Sequence, residues 1–164
     1  MDKDITVISD EIYEHLVYEG EHVSIANLGD EIKERTIIAN GASKSYSMTG
    51  WRIGWAAGPL DVMKVITNFQ SHTTSNPTSI AQKAYLEAIR GPQDSVKNMA
   101  AEFKKRRDMI VERLNGIPGI SCVKPQGSFY VFPNVSGCFK GDIQNSMDFS
   151  MALLDDGKIG RAHV

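Results

Sequence analysis

Apolar and polar positions fall into short runs in the first third of the chain and into helical periodicities after it. Residues 4–9 (DITVIS) are a brief apolar run rich in β-branched side chains, which predicts a buried strand ending at the polar switch Asp10-Glu11. Thr36 to Ala39 predicts a second strand and Arg52 to Ala57 a third, closed by Gly58-Pro59. Short apolar strands of this kind predict a mostly parallel sheet covered on both faces, hence an α/β fold.

The helices are read from spacing and stop signals. Val62, Val65, Ile66 and Phe69 repeat at i, i+3, i+4, i+7, with Asp61 as the expected cap and Asn76-Pro77 as the break. A second helix is expected from about Thr78 to Ile89, before Gly91-Pro92. The longest, Gln93 to Asn115, carries Val96, Met99, Ala100, Phe103, Ile110 and Leu114 on one stripe and stops at Gly116. Ile120 to Val123 and Ser128 to Phe132 then predict strands, and Met147 to Leu154 a last helix, the start of a smaller α+β region. These divisions place a segment boundary near Gln93, between a first segment, 1–92, and a second that begins at residue 93.

Composition narrows the function classes. The chain is 41% hydrophobic and 23% charged with a formal net charge of −2, which argues against a nucleic-acid or acidic-membrane partner. The basic run Lys104-Lys105-Arg106-Arg107 lies between Glu102 and Asp108 and reads as a solvated helix face. No apolar run reaches membrane-spanning length and no signal peptide opens the chain, so a cytoplasmic location is expected. Cys122 and Cys138 read as free thiols, and the scattered histidines predict no metal site.

Taken singly, the polar residues near strand ends say little. Lys44 follows a strand in a loop of small residues, Asp10 closes one, Tyr13 follows three residues later, and Arg52 opens another. Each has an ordinary reading as a surface charge, a turn former or a packed ring. Together they are more specific, because α/β sheets bind ligands beyond the carboxyl ends of parallel strands, where Asp10 and Lys44 both fall. The string around Lys44 lacks the two spaced glycines of a nucleotide phosphate loop.

SDEIYEHLVYEGEH (Ser9 to His22), NGASKSYSMTGWRIGWAAGP (Asn40 to Pro59) and KPQGSFYVFP (Lys124 to Pro133) resemble the fold-type I aminotransferases of the aspartate aminotransferase superfamily. The middle string is the most specific, with a Schiff-base lysine followed eight residues on by an arginine. The resemblance implies the fold-type I pyridoxal-phosphate (PLP) transferase fold, here the C-terminal part of its large domain (1–92) and the start of its small domain (93–158). It implies pyridoxal 5'-phosphate as cofactor, Lys44 as catalytic residue and Schiff-base former, and Asp10 on the ring nitrogen. It places Tyr13 on the phenolic oxygen, and Arg52 with Ser43 on the phosphate. Gly41 stands where some members carry a further phosphate-binding serine. Amino acid and 2-oxo acid substrates and a homodimer are implied, with Ser75-Asn76-Pro77 near the partner subunit.

Members of this family are much longer than 164 residues and carry further cofactor-binding and carboxylate-binding groups outside this span. The chain is therefore expected to be a truncated piece with a non-native tail at 159–164, poorly soluble and inactive alone. The same lysine, aspartate and tyrosine also serve lyases and decarboxylases of this fold, and the aminotransferase-like sensor domains of transcription regulators.

Overall fold

A computed structural model of the protein describes residues 5–159. Three strands form one sheet in the order β1 (Val7–Asp10), β2 (Thr36–Gly41), β3 (Gly54–Ala57). Strand β1 runs parallel to β2, with Val7 opposite Thr36 and Asp10 opposite Ala39. A parallel pair needs a crossover, and residues 11–35 supply it through a 3-10 turn at Ile25–Asn27 and the one-turn helix α1 (Asp30–Lys33). Strand β3 is antiparallel to β2, from Ile38–Ala57 to Gly41–Gly54, so it returns from the end of the sheet where β1 and β2 finish.

Between β2 and β3 the chain makes the single turn α2 (Ala42–Ser45) and a 3-10 turn at Thr49–Trp51. Helices α3 (Leu60–Thr73), α4 (Ser79–Arg90) and α5 (Asp94–Asn115) follow, close to their sequence-based bounds. Asp61 lies inside the first turn of α3 rather than at its cap, which Pro59 occupies, because the fixed ring of proline already sets the entry geometry.

Two compact units result. The first runs through Glu102 and takes back Gln126–Ser128; the second comprises Phe103–Pro125 and the chain from Phe129 onward. Leu16, Ala42, Thr36 and Ser45, all within 1% of full burial, lie at the centre of the first. Gln126–Ser128 joins it through backbone bonds: Tyr18 N and Glu19 N donate to the Gln126 oxygen, and Ser128 N donates to the Leu16 oxygen. The second unit holds β4 (Ser121–Cys122) paired antiparallel with β5 (Pro133–Asn134), and helix α6 (Ser146–Asp155), whose cap Asn145 accepts from the amides of Met147 and Asp148. Cys122 is a buried free thiol and Cys138 a half-buried one.

Four expectations need correction. Strand β3 is exposed along its whole length and Ile8 is 74% exposed, so this sheet is not covered on both faces; an apolar run shows preference for burial, not the presence of a cover. The strand expected over Ser128–Phe132 does not form. Ser128 takes a left-handed φ of 60°, which breaks the extended path, and pairing is deferred to Pro133. The stripe of α5 passes through Val111 rather than Ile110, which is exposed, and Val96, Phe103, Arg107 and Val111 share its inward face. Arg107 is accordingly no solvated charge. Its side chain is 2% exposed, donates to the Pro125 carbonyl at 2.7 Å and pairs with Asp108 at 2.9 Å.

Candidate functional site

The site is built where β1 and β2 end side by side. Asp10 is the last residue of β1 and is exposed; its Oδ1 accepts from the Ile12 amide at 3.1 Å, an Asx turn that redirects the chain as the strand stops. Glu11 N donates to the Ala39 oxygen at 2.9 Å, extending the parallel ladder by one step. The chain then coils through a tight turn in which Glu14 N bonds Glu11 O and Leu16 N bonds Tyr13 O. Tyr13, half-buried, sits in this turn.

Two carboxylates fasten that turn. Glu11 is 6% exposed and accepts from Ser24 Oγ at 2.7 Å, His22 Nε2 at 3.0 Å and Ser9 Oγ at 3.1 Å. Burial pushes its carboxyl up, but the hydrogen bonds from Ser24, His22 and Ser9 together outweigh burial and hold it below the ordinary value of 4.5. Glu14 accepts from Asn40 Nδ2 at 2.7 Å. Folding thus gathers Glu11, Glu14 and His22 with ligand-type atoms within 4.8 Å of one another, and the hydrogen bonds just described account for the grouping. Spacing along the chain gives little sign of these contacts, because His22 lies 11 residues from Glu11 and Asn40 lies 26 residues from Glu14.

Lys44 and Ser43 are half-buried residues of α2, a helical turn rather than the expected loop. The small side chains of Ala42 and Ser45, both buried, let this turn close directly after β2. Gly41, in extended conformation, allows the backbone of β3 to approach: a Cβ there would lie 2.9 Å from both Gly54 Cα and the Ile53 oxygen. Beyond the turn, burial raises the Tyr46 hydroxyl above its usual value of 10.0, with Tyr85 and Glu14 adding to the shift.

Arg52 is exposed and closes the 3-10 turn before β3 with a left-handed φ of 49°, a conformation costly for a residue with a Cβ. Its Nη1 donates to the Thr49 oxygen at 2.9 Å. It lines a cleft of about 840 Å³ with Asn40, Trp55, Ser75, Asn76 and Pro77. Asp10 and Lys44 do not line this cleft; they share with it the end of the sheet at which β1 and β2 stop and β3 begins.

The donor set at this edge is a carboxylate, a phenol, a primary amine, an aliphatic hydroxyl and a guanidinium. A guanidinium and a hydroxyl suit a phosphate, an amine suits an aldehyde, and a carboxylate suits a protonated ring nitrogen. The set therefore fits a phosphorylated pyridine aldehyde. Among the described residues, no helix is long and apolar enough to cross a membrane.

Comparison with known proteins bears on the family and the fold. The chain matches the family of class I and II aminotransferases over residues 1–163. It is 51% identical over 162 residues to an aspartate aminotransferase of Geobacillus stearothermophilus, covering 94% of this chain and 40% of the relative. It is 50% identical to one from Bacillus subtilis, covering 97% and 41%. The crystal structure of the aspartate aminotransferase from Rhizobium meliloti superposes with a TM-score of 0.89 at 41% identity, over 94% of this chain and 40% of that one. An aromatic aminotransferase from Pyrococcus horikoshii gives 0.86 at 36% identity, over 94% and 41%. The chain thus spans about 40% of the length of the relatives it matches. With the expected α/β architecture present and the match running almost from end to end, this chain belongs to the class I and II aminotransferase family.

Proposed function

We propose that the intact protein containing this chain is a pyridoxal-phosphate-dependent aminotransferase, of the aspartate aminotransferase type. It moves an amino group between an amino acid and a 2-oxo acid as a cytoplasmic homodimer. Residues 1–92 belong to its cofactor-binding large domain and 93–158 to its small domain. The observation that carries the reading is that Asp10 ends β1 while Lys44 follows the parallel neighbour β2 by one helical turn, placing acid and amine at one sheet edge.

When bound, the cofactor ring supplies an electron sink for the carbon that loses its proton. Everything else falls to the chain. Asp10 pairs with the ring nitrogen and keeps it protonated. Tyr13 donates its hydroxyl to the phenolic oxygen. Arg52 grips the phosphate with its planar fork, and Ser43 adds a hydroxyl. Lys44 would hold the cofactor's aldehyde through its Nζ and, as a free amine, would serve as the base that moves the substrate's α-proton. The half-buried position of Lys44 suits a group that alternates between bound and free amine.

The aspartate preference is supported by the two Bacillus-type relatives at about half identity. The decisive experiment is to express the intact protein with pyridoxal phosphate and record its visible spectrum. A long-wavelength band that Lys44→Ala abolishes is expected, followed by bleaching on addition of aspartate in preference to other amino acids. A wild type that stays colourless with saturating cofactor would end this reading.

A further inference from the structure

Asn40 is the last side chain before Gly41 and the Lys44 turn, and it is 8% exposed. Its Oδ1 accepts from the Gly41 amide at 2.7 Å, which leaves Nδ2 as the donor, and Nδ2 meets Glu14 Oε1 at 2.7 Å. Both faces of the amide are thereby committed. A buried donor aimed at a carboxylate makes a short, charge-assisted bond with little freedom to rotate.

The far end of that bond lies in the turn after β1. Glu14 is tied back to Glu11 by its amide, and Tyr13 to Leu16 by its carbonyl, so Glu14 cannot shift without carrying Tyr13 with it. On the other side Glu11 is anchored to Ser9, His22 and Ser24. The backbone ladder between β1 and β2 ends at Glu11 N to Ala39 O. Beyond it, the Asn40–Glu14 bond is a side-chain link between the Tyr13 turn and the end of β2. The charged and titratable groups around Glu14 are His15, with Nε2 at 3.7 Å, Glu11 and His22 within 4.8 Å, and Tyr46.

We propose that Asn40 is a positioning residue: by holding Glu14 it fixes the turn that follows Asp10 and carries Tyr13 against the strand end that leads into Lys44. The inference rests on the aminotransferase reading above, since it assigns what is being positioned. Its consequence is spectroscopic. A Tyr13 hydroxyl held less firmly donates more weakly to the phenolic oxygen. The charge left there keeps a proton on the Lys44 nitrogen to higher pH.

The test is a pH titration of the visible band in the intact holoprotein, for wild type, Asn40→Ala, Glu14→Ala and Glu14→Gln. Gln keeps an oxygen that can accept from Asn40, so Glu14→Gln is the rescue. Asn40→Ala and Glu14→Ala are expected to move the midpoint upward by about half a pH unit or more, as partial loss of one hydrogen bond to the charged form would. Glu14→Gln is expected to stay within about 0.2 units of wild type, the scatter of such a titration and small against the one-unit spread proteins impose. Asn40 is buried, so if Asn40→Ala fails to accumulate, Glu14, a third exposed, carries the test through Glu14→Ala. A coloured wild type with unmoved Asn40→Ala and Glu14→Ala variants would overturn the positioning role alone, as would a Glu14→Gln variant shifted as far as Glu14→Ala. A colourless wild type would overturn the aminotransferase reading and this inference with it.

Discussion

Gly41 gives the sharpest structural prediction, because the family resemblance and the packing pull in opposite directions. The family resemblance implies that some members carry a serine here, which would make Gly41→Ser look harmless. Here Gly41 faces Gly54 across the antiparallel pair, and an added Cβ would sit 2.9 Å from Gly54 Cα and 2.9 Å from the Ile53 oxygen. Both obstacles are backbone, so no side-chain rotation relieves them. The φ of 175° is ordinary extended backbone, so the cost is steric and not conformational. Overpacking of this kind typically costs about 1–3 kcal/mol. The strand pair must open, and the turn bearing Ser43 and Lys44 moves with it.

Gly50 is the matched control. It lies in the 3-10 turn of Thr49–Trp51 with nothing within 4 Å of a built Cβ. Gly50→Ala should be neutral, or stabilising by up to about 1 kcal/mol through the unfolded chain. Urea unfolding of the intact protein, fitted at constant m, should therefore separate Gly41→Ala from Gly50→Ala by roughly 1–4 kcal/mol. If Gly41→Ala proves no less stable than Gly50→Ala, the close approach of β3 to β2 is not what the geometry implies.

Other outcomes follow from the same structure. Arg107→Ala should lose about 2–4 kcal/mol in urea unfolding, combining a lost charge-assisted hydrogen bond to Pro125 with a cavity on the inward face of α5; a loss below about 0.5 kcal/mol would mean the side chain is solvated after all. Glu11 has a folded-state pKa below its unfolded value, so its contribution is present above about pH 4.5 and fades as pH falls through the lowered value. The stability gap between wild type and Glu11→Gln should thus close in acid, and a gap independent of pH would refute the hydrogen-bonded carboxylate. Tyr46 has the opposite sign: its raised pKa contributes stability below about pH 10 that is lost as pH rises through the folded value, so Tyr46→Phe should flatten the alkaline fall expected of wild type. Finally, the 164-residue chain alone should bind a hydrophobic dye and self-associate, because Ile8, Val65, Phe69, Ile80, Val123 and Phe132 are each more than two-thirds exposed; a monomeric, dye-silent preparation would contradict this.

What could be read from the sequence and what could not divides along a physical line. Helices α3 to α5 were legible because their limits are local: prolines and glycines stop them, whatever the rest of the protein does. The parallel pairing of β1 with β2 was legible in part, since two short apolar strands separated by a long crossover favour it. The direction of β3 was not. The loop from Gly41 to Ile53 is short for a parallel return, yet its composition alone does not show that it folds back through two tight turns. Arg107 was misread for a related reason. Four consecutive basic residues look alike in a list, but a turn of 3.6 residues puts one of them on the face of Phe103 and Val111, and that face is where the helix is packed.

The site divides in the same way. Asp10 and Lys44 could be singled out because both fall at the ends of expected strands, whereas Ser43 and the roles of Tyr13 and Arg52 came only from the family resemblance. The residues that brace them could not be singled out, since Asn40 and Glu14 meet only after the crossover has brought β2 beside β1. Chemistry-bearing groups are constrained by type and spacing, and so leave a trace in one dimension. Bracing groups are constrained by distance in the folded chain, where many pairings could serve. An amide at position 40 is informative only once Gly41 is seen to occupy its oxygen and Glu14 its nitrogen.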